Sequence, residues 1–179
     1  MGSRPPALRL DHLGIDPADL VGKVLTSVRR SPKHPSLTLV FADGDKVQVM
    51  VDGYDPVHRG VPKALEMDSD LDALVAARPA RLTVAACALI TLSDKAFAAR
   101  EGDSWDQRHL GLALRFATAG AHDAAEPWHC VWATLQDHDA ATGECVFRTY
   151  DDVYLEKLPR SPRKSKHCRS SHSSEPSPS

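Results

Sequence analysis

Strong apolar residues alternate with weaker or polar ones twice in succession between Leu37 and Val51. Leu37, Leu39 and Phe41 form the first set, and Val47, Val49 and Val51 the second, with Asp43-Gly44 between them. Alternation of period two predicts a pair of half-buried strands. Asp-Gly commonly makes a two-residue hairpin loop. Such a loop would put the Leu/Phe set and the Val set on opposite faces, because changing the loop by one residue flips every side chain. A three-residue loop, Ala42-Asp43-Gly44 with Gly44 left-handed, pairs Leu39 with Val47 and Leu37 with Val49 instead. The strong apolar residues then share one face. Burying a Val or Leu is worth roughly 1.5–3 kcal/mol, so this register is expected over the one that turn type alone favours.

The same period recurs along the chain. Val24, Thr26 and Val28 read as a strand, and Leu82–Leu92 as a buried one, with a helix as the alternative around Ala85–Ala88. His109–Phe116 sets Leu110, Leu112, Leu114 and Phe116 on one face. Trp128–Leu135 sets Trp128, Cys130 and Trp132 on one face and Val131, Ala133 and Leu135 on the other, the two-sided pattern of a central strand. Glu144–Tyr150 is a further strand, and Asp151–Leu158 a short closing strand or turn. Helical signals are fewer. Asp16-Pro17 is an N-cap followed by Pro at the first helical position, and Gly22 cuts the helix short. Lys63–Arg78 is the best helix candidate, with Asp68 or Ser69 as cap, Leu71, Leu74 and Val75 on one face, and Pro79 as its stop. Ser93–Asp106 is polar, with a helical turn expected around Ala96–Arg100.

Roughly six to eight strands with short helical insertions predict a mainly β fold, α+β being the alternative. The expected architecture is an antiparallel β-sandwich or partly open barrel in a single domain, residues 7–158, followed by a disordered basic Ser/Pro tail, residues 159–179. LTLVFADG in the first half and LGLALRFATAG in the second are each followed by another alternating strand. Two similar meanders are one explanation, and shared β-patterning explains the likeness equally well.

Charge divides the chain in the same place. Of 22 Lys/Arg and 24 Asp/Glu, five basic residues and one acidic residue lie beyond Leu158, so the tail is basic and the body mildly acidic. An acidic body argues against nucleic-acid binding by the folded part and leaves only the tail for such a partner. No apolar run is long enough to span a bilayer, and the first residues lack the apolar core of a secretory signal. Cys87, Cys130, Cys145 and Cys168 show no paired spacing and read as reduced thiols. The expected location is cytoplasmic or nuclear, without membrane association.

Candidate chemistry gathers in Val51–Gly60, VDGYDPVHRG. Asp52, Asp55 and His58 are the catalytic candidates, because two carboxylates and an imidazole can move protons or hold a divalent ion. Tyr54 and Arg59 are binding candidates beside them. Asp-Gly and Asp-Pro are equally the ordinary chemistry of turns. Trp128 and Trp132 are further binding candidates, as an aromatic platform for a sugar or peptide, with core filling as the plainer explanation. Cys130 and His129 are strand neighbours facing opposite ways, so adjacency does not make them a dyad; His109 and His138 have no motif around them. The sequence carries no metal-ligand spacing, no phosphate-binding glycine loop and no nucleophile elbow, and no cofactor is expected. In the tail, Ser161 within Ser-Pro-Arg-Lys resembles a site for proline-directed kinases, and the basic cluster resembles nuclear import and minor-groove elements. A patterned scaffold without a chemical motif predicts a non-catalytic intracellular binding module with a protein partner. The alternatives are a small hydrolase-like or metal-dependent enzyme built on the Asp52/Asp55/His58 loop, and a nuclear factor whose tail contacts nucleic acid.

Overall fold

The computed structural model describes residues 14–54, 63–76, 81–117 and 127–160. The chain is mostly antiparallel β-sheet, as its alternation predicts. A short 3-10 helix, Pro17–Leu20, is capped by the Asp16 side chain, which accepts from the Ala18 N–H at 2.9 Å. The strands are β1 (Val24–Arg30), β2 (Leu37–Phe41), β3 (Lys46–Val51), β4 (Lys63–Met67), β5 (Leu82–Ala98), β6 (Asp103–Ala117), β7 (His129–His138), β8 (Cys145–Asp151) and β9 (Val153–Lys157), with the helix α1 (Ser69–Ala76) between β4 and β5.

The β2–β3 hairpin has the odd-length register. Leu39 pairs with Val47 and Leu37 with Val49, and Gly44 has a φ of 86°. Leu37, Leu39, Phe41, Val47, Val49 and Val51 are all buried, so six apolar side chains on one face decide the register. Asp45, directly after the turn, is buried as well, and its carboxylate gathers three cations, one from just ahead of β1 and two from the end of β9 and the residues after it. Lys23 Nζ lies at 2.8 Å, Lys157 Nζ at 3.0 Å and the Arg160 guanidinium at 2.8 Å. Lys23, then Lys157 and Arg160, hold the Asp45 carboxyl far below the usual carboxylate range. A carboxylate with a depressed folded-state pKa stabilises the fold above its unfolded value and loses that contribution as pH falls toward the folded one. Asp45→Asn is therefore expected to lower stability by a constant amount above about pH 5, with the deficit shrinking below about pH 4. Urea denaturation of both proteins at several pH values checks this; a deficit independent of pH would rule out the ionic origin.

All nine strands join one sheet, which does not close into a barrel. Its order is β4-β7-β6-β5-β1-β2-β3-β9, with β8 pairing β7 and the far end of β5. Read from β1 outward the order is β1-β2-β3-β9; read from β5 outward it is β5-β6-β7-β4. Each half of the chain thus builds a three-stranded meander and sends one five-residue strand, β4 or β9, to the edge of the other. Fully buried core residues run across the order, from Val131 on β7 and Leu112 and Leu114 on β6 through Leu25, Leu39 and Val49 to Leu155 on β9.

Two expectations are corrected. Lys63–Met67 is a strand, and the helix starts only at Ser69. Lys-Ala-Leu-Glu-Met favours helix locally, but pairing with β7 from Lys63↔Leu135 to Met67↔Val131 overrides that preference. Asp68 does cap the helix, accepting from the Leu71 N–H at 2.8 Å. Leu71 is buried and Leu74 exposed; the Val75 side chain lies outside what the structure describes. Second, Ala96–Arg100 is not a helical turn. β5 runs to Ala98 and returns as β6 from Asp103. Polar Asp94 holds the inward position between Leu92 and Ala96, facing buried His109 across the hairpin at 3.6 Å, and so hides the alternation. Further along β6, a Cβ on Gly111 would lie 2.6 Å from Leu92 Cδ1 and 3.1 Å from the Val131 carbonyl, so any larger residue there requires the Leu92 side chain to move.

Candidate functional site

A cleft of about 540 Å³ lies between the β1–β2 connection and β4. It is lined by Arg30, Lys33, His34, Tyr54 and Lys63, together with Ser31–Leu37 backbone and the Ala64–Leu65 edge of β4. The connection is held by its own hydrogen bonds. The Ser31 N–H donates to the Ser36 carbonyl at 3.0 Å, and Ser31 Oγ accepts from the His34 N–H at 3.2 Å. Pro32 and Pro35 restrict it further. His34 Nδ1 and the Tyr54 hydroxyl lie 3.0 Å apart and close one wall.

Two cations bridge the open side of the sheet. Arg30 Nη1 donates to the Leu65 carbonyl at 2.8 Å, with Asp72 3.7 Å from the other guanidinium nitrogen. Lys63 Nζ donates to the Asp52 carbonyl at 3.1 Å and approaches Asp151 at 3.4 Å. Among the described residues, the lining contains no carboxylate. Lys33 is exposed, and among the described residues no carboxylate lies within ion-pair distance of its ammonium.

Of the residues singled out in the sequence, Tyr54 lines this cleft. Asp52 does not; it sits behind Lys63, at the end of β3. Burial pushes its carboxyl up, and Asp151 and Asp152 add to that against the Gly53 N–H and Lys63. Asp55, His58, Arg59 and Ser161 lie outside the described residues. Trp128 is 48 % exposed, with the Arg115 guanidinium over its ring at 5.2 Å. Trp132 is half-buried and donates from its indole N–H to Glu66 at 3.0 Å. The structure does not bring the two tryptophans to the cleft lining.

His129 and Cys130 face different ways, as neighbours on a strand must. His129 is buried against Phe116, with Nδ1 3.3 Å from Asp68. Burial works against the Asp68 carboxylate, but the N–H groups of Leu71 and Cys130 and the His129 ring outweigh it and hold its pKa low. Burial pushes the Cys87 thiol up to about 12, and burial with the Asp68 charge raises Cys130 too. Thiols so shifted are poor nucleophiles at neutral pH. His109 stacks on Tyr150 with ring centroids 4.8 Å apart, and His138 is exposed beside Gln136.

A second polar layer lies where β7 leaves β6 and pairs with β8. Gln107 bonds the backbone of Tyr150 and the Thr149 hydroxyl, while Glu66 accepts from Trp132, Thr134 and Arg148. Burial raises the Tyr150 phenol, against the pull of Arg148. These hydrogen bonds link four strands, which is the arrangement of a structural tie.

No family model, curated protein or solved structure matches this chain. The site therefore rests on its own geometry. Among the described residues, no group of three or more His, Cys, Asp or Glu side chains is placed to hold a metal ion. No helix among them is long and apolar enough to cross a membrane. Arg30, Lys33, His34 and Lys63 are not among the candidates that the sequence pattern singles out. The signal was the basic run Arg29-Arg30-Ser31-Pro32-Lys33-His34 in an otherwise acidic body.

Proposed function

We propose that the protein is a non-catalytic intracellular binding module that takes an anionic group of a protein partner in the cleft between the β1–β2 connection and β4. The observation that carries this reading is the lining: Arg30, Lys33, His34 and Lys63 converge with Tyr54, and none of the described lining residues is a carboxylate. Guanidinium groups suit carboxylate or phosphate recognition by their planar donor fork, and ammonium groups add mobile positive charge. Tyr54 supplies an apolar ring with a hydroxyl at its tip, the amphipathic wall that such sites use for orientation. The raised thiols and the mutually bonded polar layer add no nucleophile beside the cleft.

Fluorescence anisotropy of a labelled glutamate-rich peptide against the full chain tests the proposal. Lys33→Glu is expected to weaken binding roughly five-fold, the effect of about 1 kcal/mol from one reversed exposed charge. Lys164→Glu, in the basic tail, is expected to leave binding within about two-fold, provided salt is near physiological and screens distant charge. Equal affinity of wild type and Lys33→Glu, or a larger loss from Lys164→Glu, removes the cleft from consideration.

A further inference from the structure

The two end strands of the sheet are treated differently, and the difference points to an occupant. β4 and β9 each have five residues with a leucine at the centre, Leu65 and Leu155. On β9 the Leu155 carbonyl accepts a backbone hydrogen bond from the Ile15 N–H at 3.1 Å, so the chain ahead of β1 lies along that edge. On β4 the Leu65 carbonyl accepts from the Arg30 side chain instead, at 2.8 Å. The Asp68 N–H turns toward β7 and bonds the Cys130 carbonyl at 3.1 Å. Backbone direction alternates along a strand, so the backbone groups of Lys63, Leu65 and Met67 all face away from β7. No described strand pairs with that side. This open edge forms one wall of the cationic cleft, at Lys63, Ala64 and Leu65.

An unpaired strand edge is a template for another extended chain. Its surroundings are cationic, so the chain that fits carries carboxylates. Resting on the reading of the cleft as an anion site, we propose that β4 takes an extended acidic peptide segment of a partner protein as an added strand. The peptide backbone pairs with the outward groups of β4, replacing Arg30 at the Leu65 carbonyl. Arg30, freed from that carbonyl, and the exposed Lys33 then meet acidic side chains, and Tyr54 meets an apolar one.

The test uses the full chain and three fluorescent nine-residue peptides of alternating Glu and Val. One is unmodified, and the others are N-methylated at one or the other alternate set of amides. Added-strand binding predicts that methylation in one frame lowers affinity roughly ten-fold or more, since about two backbone hydrogen bonds are lost, while the other frame binds nearly as the parent does. If all three peptides bind alike and Lys33→Glu weakens each, the anion site stands and strand addition is wrong. If none binds, both readings fail together. A nine-nucleotide single-stranded DNA that displaces the parent peptide at lower concentration than unlabelled peptide makes nucleic acid the occupant, and that too overturns the proposal.

Discussion

Truncating Leu39 to alanine lowers the free energy of unfolding by about 2–5 kcal/mol, the cost of losing a buried leucine and leaving a cavity. Leu39 sits on β2 between Val28 on β1 and Val47 on β3, and it is almost wholly buried. Lys46→Ala, on the exposed side of the same hairpin, is expected to change stability by no more than about 0.5 kcal/mol. Guanidinium denaturation of the two variants checks the register directly. Were the hairpin built on the even two-residue loop, Leu39 and Val47 would lie on opposite faces, and one of the Leu and Val truncations would be nearly neutral. Comparable losses from Leu39→Ala and Val47→Ala are the expected result.

Lys63→Glu is the second large effect. The Lys63 side chain is 10 % exposed and lies between the Asp52 carbonyl and Asp151 at the junction of β3, β4 and β8. Reversing its charge places another carboxylate among Asp52, Asp151 and Asp152. A loss of about 3 kcal/mol or more is expected, as for a nearly buried ion pair stripped of one partner. The pH dependence has a definite sign. Crowded carboxylates acquire raised folded-state pKa values, as burial, Asp151 and Asp152 already raise Asp52. Groups raised in this way favour the fold at low pH and lose that contribution as pH rises. The deficit of Lys63→Glu relative to wild type therefore shrinks as pH falls from about 7 to about 4. Thermal melts across that range measure it, and a deficit that grows in acid would show that Asp52 and its neighbours are not what the substituted side chain meets.

How far the fold can be read from the chain depends on where polar residues fall. The β2–β3 hairpin was legible to its register, because every inward position there is strongly apolar. The distal part of the β5–β6 hairpin was not. Asp94, Gln107 and His109 occupy positions along its interior side, where Gln107 bonds and His109 stacks on Tyr150, a residue remote in sequence. β4 was misread for a related reason: its residues prefer a helix, and only its pairing with β7 makes it a strand. The cleft was legible only in fragments. Tyr54 was singled out, but it meets Arg30–Leu37 and Lys63–Leu65 through contacts that no local pattern records. The basic run at residues 29–34 was visible as charge, while its meaning required the exchange of β4 into the other half of the sheet.

That exchange gives the cleft its two kinds of wall, a rigid connection bearing cations and an open strand edge. Mapping the backbone amide shifts of the full chain as a glutamate-rich peptide is added is the most direct measurement. The expected result is that the largest shifts fall at Ser31, Lys33, His34 and Ser36 on one wall and at Ala64 and Leu65 on the other. Shifts concentrated around Trp105, Val146 and Phe147, or confined to the basic tail beyond Arg160, would contradict the assignment of the cleft.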